Sequence, residues 1–340
     1  MKKTKKDYLK NPVEHIDIKK IDAVPLIEMF SKMAFSARTL AQGALIYENM
    51  LKDEEVTVIL TLAGSLFSAG LKNAVCELVR NNLVDVIVSS GAIIVDQDFF
   101  EALGFRHYIG SVDVDDRELN RLHIDRIYDT FIDEDELRIC DMTVAEIANK
   151  LPPRPYSSRE FIWEMGKYLK ENGIKSDDSV ILAAYEKNVP IFVPAFSDCS
   201  AGFGLVFHQI KHPNKHISID SVKDFKELTE LKIAAKETGV VILGGGVPKN
   251  FTQDIVVCAD ILNKIVPMHK YAIQITVADV RDGALSGSTL KEAHSWGKVD
   301  FPNTEMIYSE VTIAFPIIAA YVYQKVKKRK PKNWTKIFEK

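Results

Sequence analysis

Lys298 ends the densest run of reactive side chains in the sequence, Glu292-Ala293-His294-Ser295-Trp296-Gly297-Lys298, which follows Asp282-Gly283-Ala284-Leu285-Ser286-Gly287-Ser288. The glycines and serines of that preceding stretch favour a loop able to fold over a ligand. A Trp beside a Lys offers an apolar wall around an amine and a ring that can stack on a cation. A lysine that forms an imine must be neutral part of the time, and desolvation against an indole is one way to lower the ordinary lysine pKa of about 10.4. The competing reading is a solvated lysine at a helix end.

Four glycine-bearing clusters can complete a site: Ala63-Gly64-Ser65-Leu66-Phe67-Ser68, Ser89-Ser90-Gly91-Ala92, Phe196-Ser197-Asp198-Cys199-Ser200-Ala201-Gly202 and Gly244-Gly245-Gly246. Backbone N–H groups beside glycine can approach a pyrophosphate with no Cβ in the way. Each cluster alone is equally a tight turn, and none is a GxGxxG fingerprint behind a strand. Asp96 and Asp198 can accept bonds from ribose hydroxyls or hold an ammonium, or they can be helix N-caps and turn residues.

The elements that must position these groups read as βα units. Val56 to Leu62, Val84 to Ser90, Ile191 to Phe196, Val240 to Leu243 and Tyr271 to Val277 are short Val- and Ile-rich runs, as buried parallel strands are. Ser68 to Asn81 and Ser221 to Glu237 carry apolar residues at helical spacing. This alternation predicts an α/β fold: a mainly parallel, Rossmann-like sheet with helices on both faces and a ligand cleft at the C-terminal strand ends. The expected division is a helical segment over 1–50, one large α/β domain over 51–330 and a basic tail over 331–340. The stretch 108–154, rich in Asp, Glu and Arg, reads as an excursion rather than sheet. Its run Asp133-Glu134-Asp135-Glu136 reads as a solvated helix start, and Lys325 to Lys332 as a solvated basic tail after a helix.

Composition narrows the function. With 46% apolar and 27% charged residues in 340, the balance is that of a chain able to bury a core. A net charge of -3 gives no global field to recruit nucleic acid or an anionic membrane. Cys76, Cys140, Cys199 and Cys258 form no CxxC pair, so neither a zinc site nor a disulfide framework is suggested, and a cytoplasmic location is expected. The basic N-terminus has no apolar stretch behind it, and the longest apolar run, Val311 to Tyr323, contains Pro316 and is too short for the ~20 residues that cross a bilayer.

Taken together, these segments resemble the deoxyhypusine synthase family from about Val56 to Val326. Glu292 to Lys298 resembles the family's EAxSWGK motif, which ends in its catalytic lysine. Leu66 to Gly70, Val84 to Gly91, Pro194 to Asp198, Ile242 to Gly246 and Asp282-Gly283 support it in the right order. The resemblance implies NAD as cofactor, with Ser65, Ser68, Ser90, Gly91, Asp96, Asp198, Gly245, Asp282, Glu310 and Val311 in contact with it. Asp96, where a glutamate is usual, would lie between cofactor and amine, and Gly283, Glu292 and Trp296 would contact the amine. It implies oxidation of spermidine to an imine, attack by Lys298, loss of diaminopropane, and transfer of the aminobutyl group to a lysine of the translation factor 5A precursor. It also implies a homotetramer with sites across a dimer interface.

Three positions depart from the eukaryotic pattern: Phe203 and Leu285 replace acidic residues, and Asn250 replaces a histidine. Each lost carboxylate removes a charge-assisted hydrogen bond worth roughly 1.5 to 3 kcal/mol, so the polyamine is gripped differently or is another molecule. The same chemistry with putrescine as acceptor gives homospermidine. A catalytically inactive NAD-binding homologue is a third reading, disfavoured by the retained SWGK segment.

Overall fold

Val56–Leu62 is buried along its whole length, as a central strand covered on both faces must be. The computed structural model describes residues 3–174, 179–327 and 329–338. In chain order its strands are β1 (Val56–Leu62), β2 (Val86–Ser89), β3 (His107–Ile109), β4 (Ile124–Ile127), β5 (Thr130–Asp133), β6 (Pro155–Tyr156), β7 (Ile191–Phe192), β8 (Ser218–Ile219), β9 (Glu237–Leu243), β10 (Tyr271–Thr276) and β11 (Thr304–Tyr308).

Six of them form one sheet in the order β11-β10-β9-β1-β2-β7, and every pairing in it is parallel. The chain builds outward from β1 through β2 to β7, then returns to the other side of β1 to add β9, β10 and β11. The order therefore reverses between β1 and β9, the place where α/β sheets open a crevice for ligands. Val58, Leu60, Leu62, Val241, Leu243, Ile273 and Ile275 face one core, shared with the helices Phe35–Lys52, Lys72–Arg80 and Val311–Lys325. On the other face Ile59, Val86 and Val88 pack on Leu228 and Leu231 of the helix Ser221–Ala234 and on Ile255 of the helix Gly246–Ile261. Val240, Ile242 and Ala272 meet Leu290 and Ala293 of the helix Leu290–Ser295. This is the α/β architecture read from the strand runs.

Local differences have physical reasons. The run Ile191 to Phe196 is strand only to Phe192, because the Val193 N–H donates to Ser158 Oγ (2.7 Å) instead of a strand and Pro194 has no N–H to give. β11 is a sixth strand that the apolar runs miss, an edge strand whose first three residues are only half-buried. The excursion reading is corrected: β3, β5 and β4 form a small antiparallel sheet within 107–133, with Ile124, Phe131 and Ile132 buried between charged neighbours that hide the pattern. Asp133 does start a helix, accepting from the N–H groups of Asp135 and Glu136, and it also binds the Lys5 ammonium. The solvated-tail reading fails at Arg329, whose guanidinium forms a buried pair with Asp85 (2.6 Å) and donates to the carbonyls of Asn82 and Val56. Trp334, Ile337 and Phe338 then pack back on Phe192 and Leu228. Among the described residues no helix is long and apolar enough to cross a membrane, and Cys140, Cys199 and Cys258 are free thiols.

Candidate active site

Parallel strands deliver their carboxyl ends to one edge, and ten of the residues singled out above lie just beyond those ends. Ser65 and Ser68 follow β1, and Ser90, Gly91 and Asp96 follow β2. Asp198 follows β7, Gly245 follows β9, Asp282 and Gly283 follow β10, and Glu310 follows β11, with Val311 opening the next helix. Hydrogen bonds between neighbouring strand ends fix the edge: Ala63 N–H to the Leu243 carbonyl (3.1 Å), Ser90 N–H to Leu62 (3.0 Å) and Gly244 N–H to Ile275 (2.9 Å).

After β2 the chain runs at once into a π-helix, Ala92–Phe99, whose wider turn brings polar side chains inward. Gln97 Oε1 accepts from the N–H groups of Phe67 and Ser68, both at 3.0 Å, and so holds the loop that carries Ser65 and Ser68. Asp96 accepts from Ser200 N–H (3.0 Å) and Oγ–H (2.6 Å), which ties the ends of β2 and β7 together. Burial pushes its carboxyl up to about 6 against those hydrogen bonds, with Asp141 adding a little. Glu310 caps the helix Val311–Lys325 by accepting from Thr312 N–H (2.8 Å). Asp198 and Asp282 are exposed.

Two features of this edge suit a phosphate- and ribose-bearing dinucleotide. Ser90 Oγ is buried and, among the described residues, finds no hydrogen-bond partner, so a polar donor-acceptor stands ready for a ligand. Gly64, beside the reversal point, has φ +94°, and a Cβ there would meet nothing within 4 Å, so backbone is open to close approach. Gly245 differs: its missing Cβ is needed by protein, since Ser286 Cα would lie 2.5 Å away. The 282–288 loop is thereby pressed onto the triple glycine and stitched to it. Ser286 Oγ accepts from Gly246 N–H (3.0 Å), while Gln274 Nε2 donates to the carbonyls of Gly244 (2.9 Å) and Ser286 (3.0 Å). The buried Lys249 donates to the Leu285 carbonyl (3.0 Å) and to Ser288. Burial pushes the Lys249 ammonium down to about 8, Glu292 opposing the shift and Lys298 adding to it.

Lys298, Trp296 and Glu292 stand elsewhere. They line a cavity of about 580 Å³ between the helices Gly246–Ile261 and Leu290–Ser295, and none of the strand-end residues named above lines it. Leu285 and Asn250, two of the positions that depart from the family pattern, do line it. The Lys298 side chain is only 12% exposed, and its Nζ lies 5.1 Å from the centre of the Trp296 ring, whose outer face is open to solvent. Glu292 closes a capping box by accepting from Thr289 N–H (2.6 Å), and hydrogen bonds from Thr289 hold its carboxyl below the usual range. Phe203 is on neither part, but is 69% exposed on the helix Ser200–Lys211 beside Val206 and Ile210, an apolar stripe facing solvent.

The nearest partner of Lys298 was not among the residues singled out. Asp254 Oδ1 lies 2.6 Å from Lys298 Nζ, and Asn250 Nδ2 donates to the other oxygen, Oδ2, at 2.8 Å. The available signal was helical: Asn250, Asp254, Val257 and Ile261 share one face of their helix, so whatever meets Asn250 also meets Asp254.

The deoxyhypusine synthase family model matches residues 25–322. A deoxyhypusine synthase-like protein of Chlorobaculum tepidum is 61% identical over 97% of this chain and 93% of its own length. One of Coxiella burnetii is 55% identical over 100% of this chain and 97% of its own. Among solved structures, a protein of Entamoeba histolytica named for deoxyhypusine synthase superimposes with a TM-score of 0.61 at 19% identity, covering 94% of this chain and 99% of that one, a likeness of fold.

Proposed function

The chain belongs to the deoxyhypusine synthase family, and from that premise we propose an NAD-dependent transferase that moves the aminobutyl group of spermidine through an imine on Lys298. The observation that carries this reading is Lys298 itself: a mostly buried amine at the wall of a cavity that also offers two carboxylates, Asp254 and Glu292, and an aromatic ring. A covalent lysine intermediate splits one difficult amine exchange into two easier ones. NAD, when bound, supplies the hydride acceptor for the donor amine and returns the hydride to the product. Ser90, Ser65, Asp198, Asp282 and the open backbone at Gly64 are the groups that would hold it, and Asp96 sits between the ends of β2 and β7 to receive an ammonium.

Because cofactor edge and lysine cavity are separate on one chain, the reading includes a homo-oligomer, a tetramer by analogy, in which a second copy brings its edge to the cavity. The acceptor proposed first is a lysine of the translation factor 5A precursor. A small diamine such as putrescine, giving homospermidine, is favoured by one observation: Leu285, Phe225, Val257 and Ile261 make much of the cavity wall apolar, which suits a short amine held at few points. Mass spectrometry of products from NAD and labelled spermidine, with the precursor or with putrescine, separates the two. Label on the protein establishes the first and labelled homospermidine the second. No transfer beyond a Lys298→Ala control sinks both.

A further inference from the structure

Asp254 is the group in contact with the reacting nitrogen, and nothing in the family pattern assigns it. We infer that Asp254 is a catalytic residue, the carboxylate that carries the proton between Lys298 and the leaving amine during imine exchange. The inference rests on the aminobutyl-transfer reading above. Its geometry is specific. Oδ1 lies 2.6 Å from Lys298 Nζ, Oδ2 is tethered by Asn250 at 2.8 Å, and the carboxylate is one-third exposed on the cavity wall, so it reaches both the lysine and whatever the cavity holds. Asn250 is one helical turn before Asp254, which fixes the carboxylate from within the same helix. The other charged side chain lining the cavity is Glu292, which is engaged in its capping box, and Lys249, close enough to act on Lys298 and Glu292, is engaged with the Leu285 carbonyl of the 282–288 loop.

The step balances without a redox partner. The lone pair of the neutral Lys298 amine forms a bond to the carbon of the protonated donor imine, and the C=N pair moves onto the donor nitrogen. The bond from that carbon to the donor nitrogen then breaks as the protonated C=N bond to Lys298 forms. Lys298 nitrogen has given up one proton and the departing amine has gained one. Asp254 takes the first and supplies the second, ending as it began. A carboxylate held at hydrogen-bond distance from the nitrogen is the arrangement general acid-base catalysis needs. It also accounts for a family member that has Phe203 and Leu285 where carboxylates are usual: a carboxylate is present, on another element.

The test uses the full chain with NAD and labelled spermidine, stopped at intervals with borohydride, the reduced adduct on Lys298 being counted by peptide mass spectrometry. D254N is expected to form the adduct about 100-fold more slowly than wild type. D254E is expected to recover part of the rate, and added formate to speed D254A about tenfold, which a merely structural role does not allow. Melting curves of the variants check that the fold survives, and D254E keeps the test open if D254N unfolds. D254N at the wild-type rate, or D254A deaf to formate with D254E no better than D254N, overturns the inference and leaves the transferase reading intact. A wild type that forms no adduct removes that reading, and this inference with it.

Discussion

Along the carboxyl edge of the sheet, Ser90, Gly245 and Glu310 stand where the ends of β2, β9 and β11 put them, whereas Lys298, just past the helix Leu290–Ser295, meets Asp254 of the helix Gly246–Ile261 only through where each helix lies on the sheet. The edge is rigid by construction, with each strand end bonded to its neighbour and the π-helix clamping the β1 loop through Gln97. The cavity is open on the side where Trp296 and Ile261 face solvent, and the Lys298–Asp254 pair within it is a single contact between side chains. The difference teaches that strand ends place one set of polar groups within a single chain, while on the proposed reading the lysine cavity needs the edge of a second copy.

The sharpest way to break this comparison is to disable each region on a different copy. Lys298→Ala removes the proposed nucleophile, and Gly64→Phe fills the open space beside β1 and strains its backbone at φ +94°, so each variant alone is expected to lose transfer activity by about a thousandfold. Co-refolded in equal amounts, they are expected to regain about a quarter of wild-type activity, the share of sites in which an intact edge meets an intact lysine. If each chain used its own edge and its own lysine, the mixture would stay silent.

A smaller effect separates the regions by pH. Asp96 titrates at about 6 when folded against an ordinary 3.8, so the native state binds more protons than the unfolded one between those values. Its contribution is then present at low pH and lost as pH rises from about 4 to 6, a fall of about 3 kcal/mol. Asp96→Asn is expected to flatten that slope in denaturant titrations, while a change at Lys298 leaves it in place.

The smallest expected effect sharpens the edge alone. Ser90 Oγ makes no hydrogen bond among the described residues, so Ser90→Ala is expected to leave the melting temperature of the free protein within a degree or two. NAD affinity is expected to fall about fivefold, the loss of one hydrogen bond, in a calorimetric titration. A variant that melts early but binds NAD normally would mean the hydroxyl serves the fold.

How far the sequence reaches follows the same division. Runs such as Val56–Leu62 are continuous and β-branched because a central parallel strand is buried on both faces, so their residues alone announce it. Once the strands are found, the small polar residues behind them are found too, which is why Ser90, Gly245 and Asp282 are legible in advance. β11 and the sheet within 107–133 are not, because edge and outlying strands alternate charged with apolar residues over a few positions. Lys298 could be named from its motif, but its partner could not. Periodicity fixes which residues share a helix face, and so pairs Asn250 with Asp254. Which helix that face meets depends on how the helix Gly246–Ile261 lies on β1 and β2 and the helix Leu290–Ser295 on β10, a matter of packing that no local pattern encodes. The chemistry available to this protein was therefore determined by its sequence, and the contact that brings a carboxylate to its lysine was decided only by the tertiary structure.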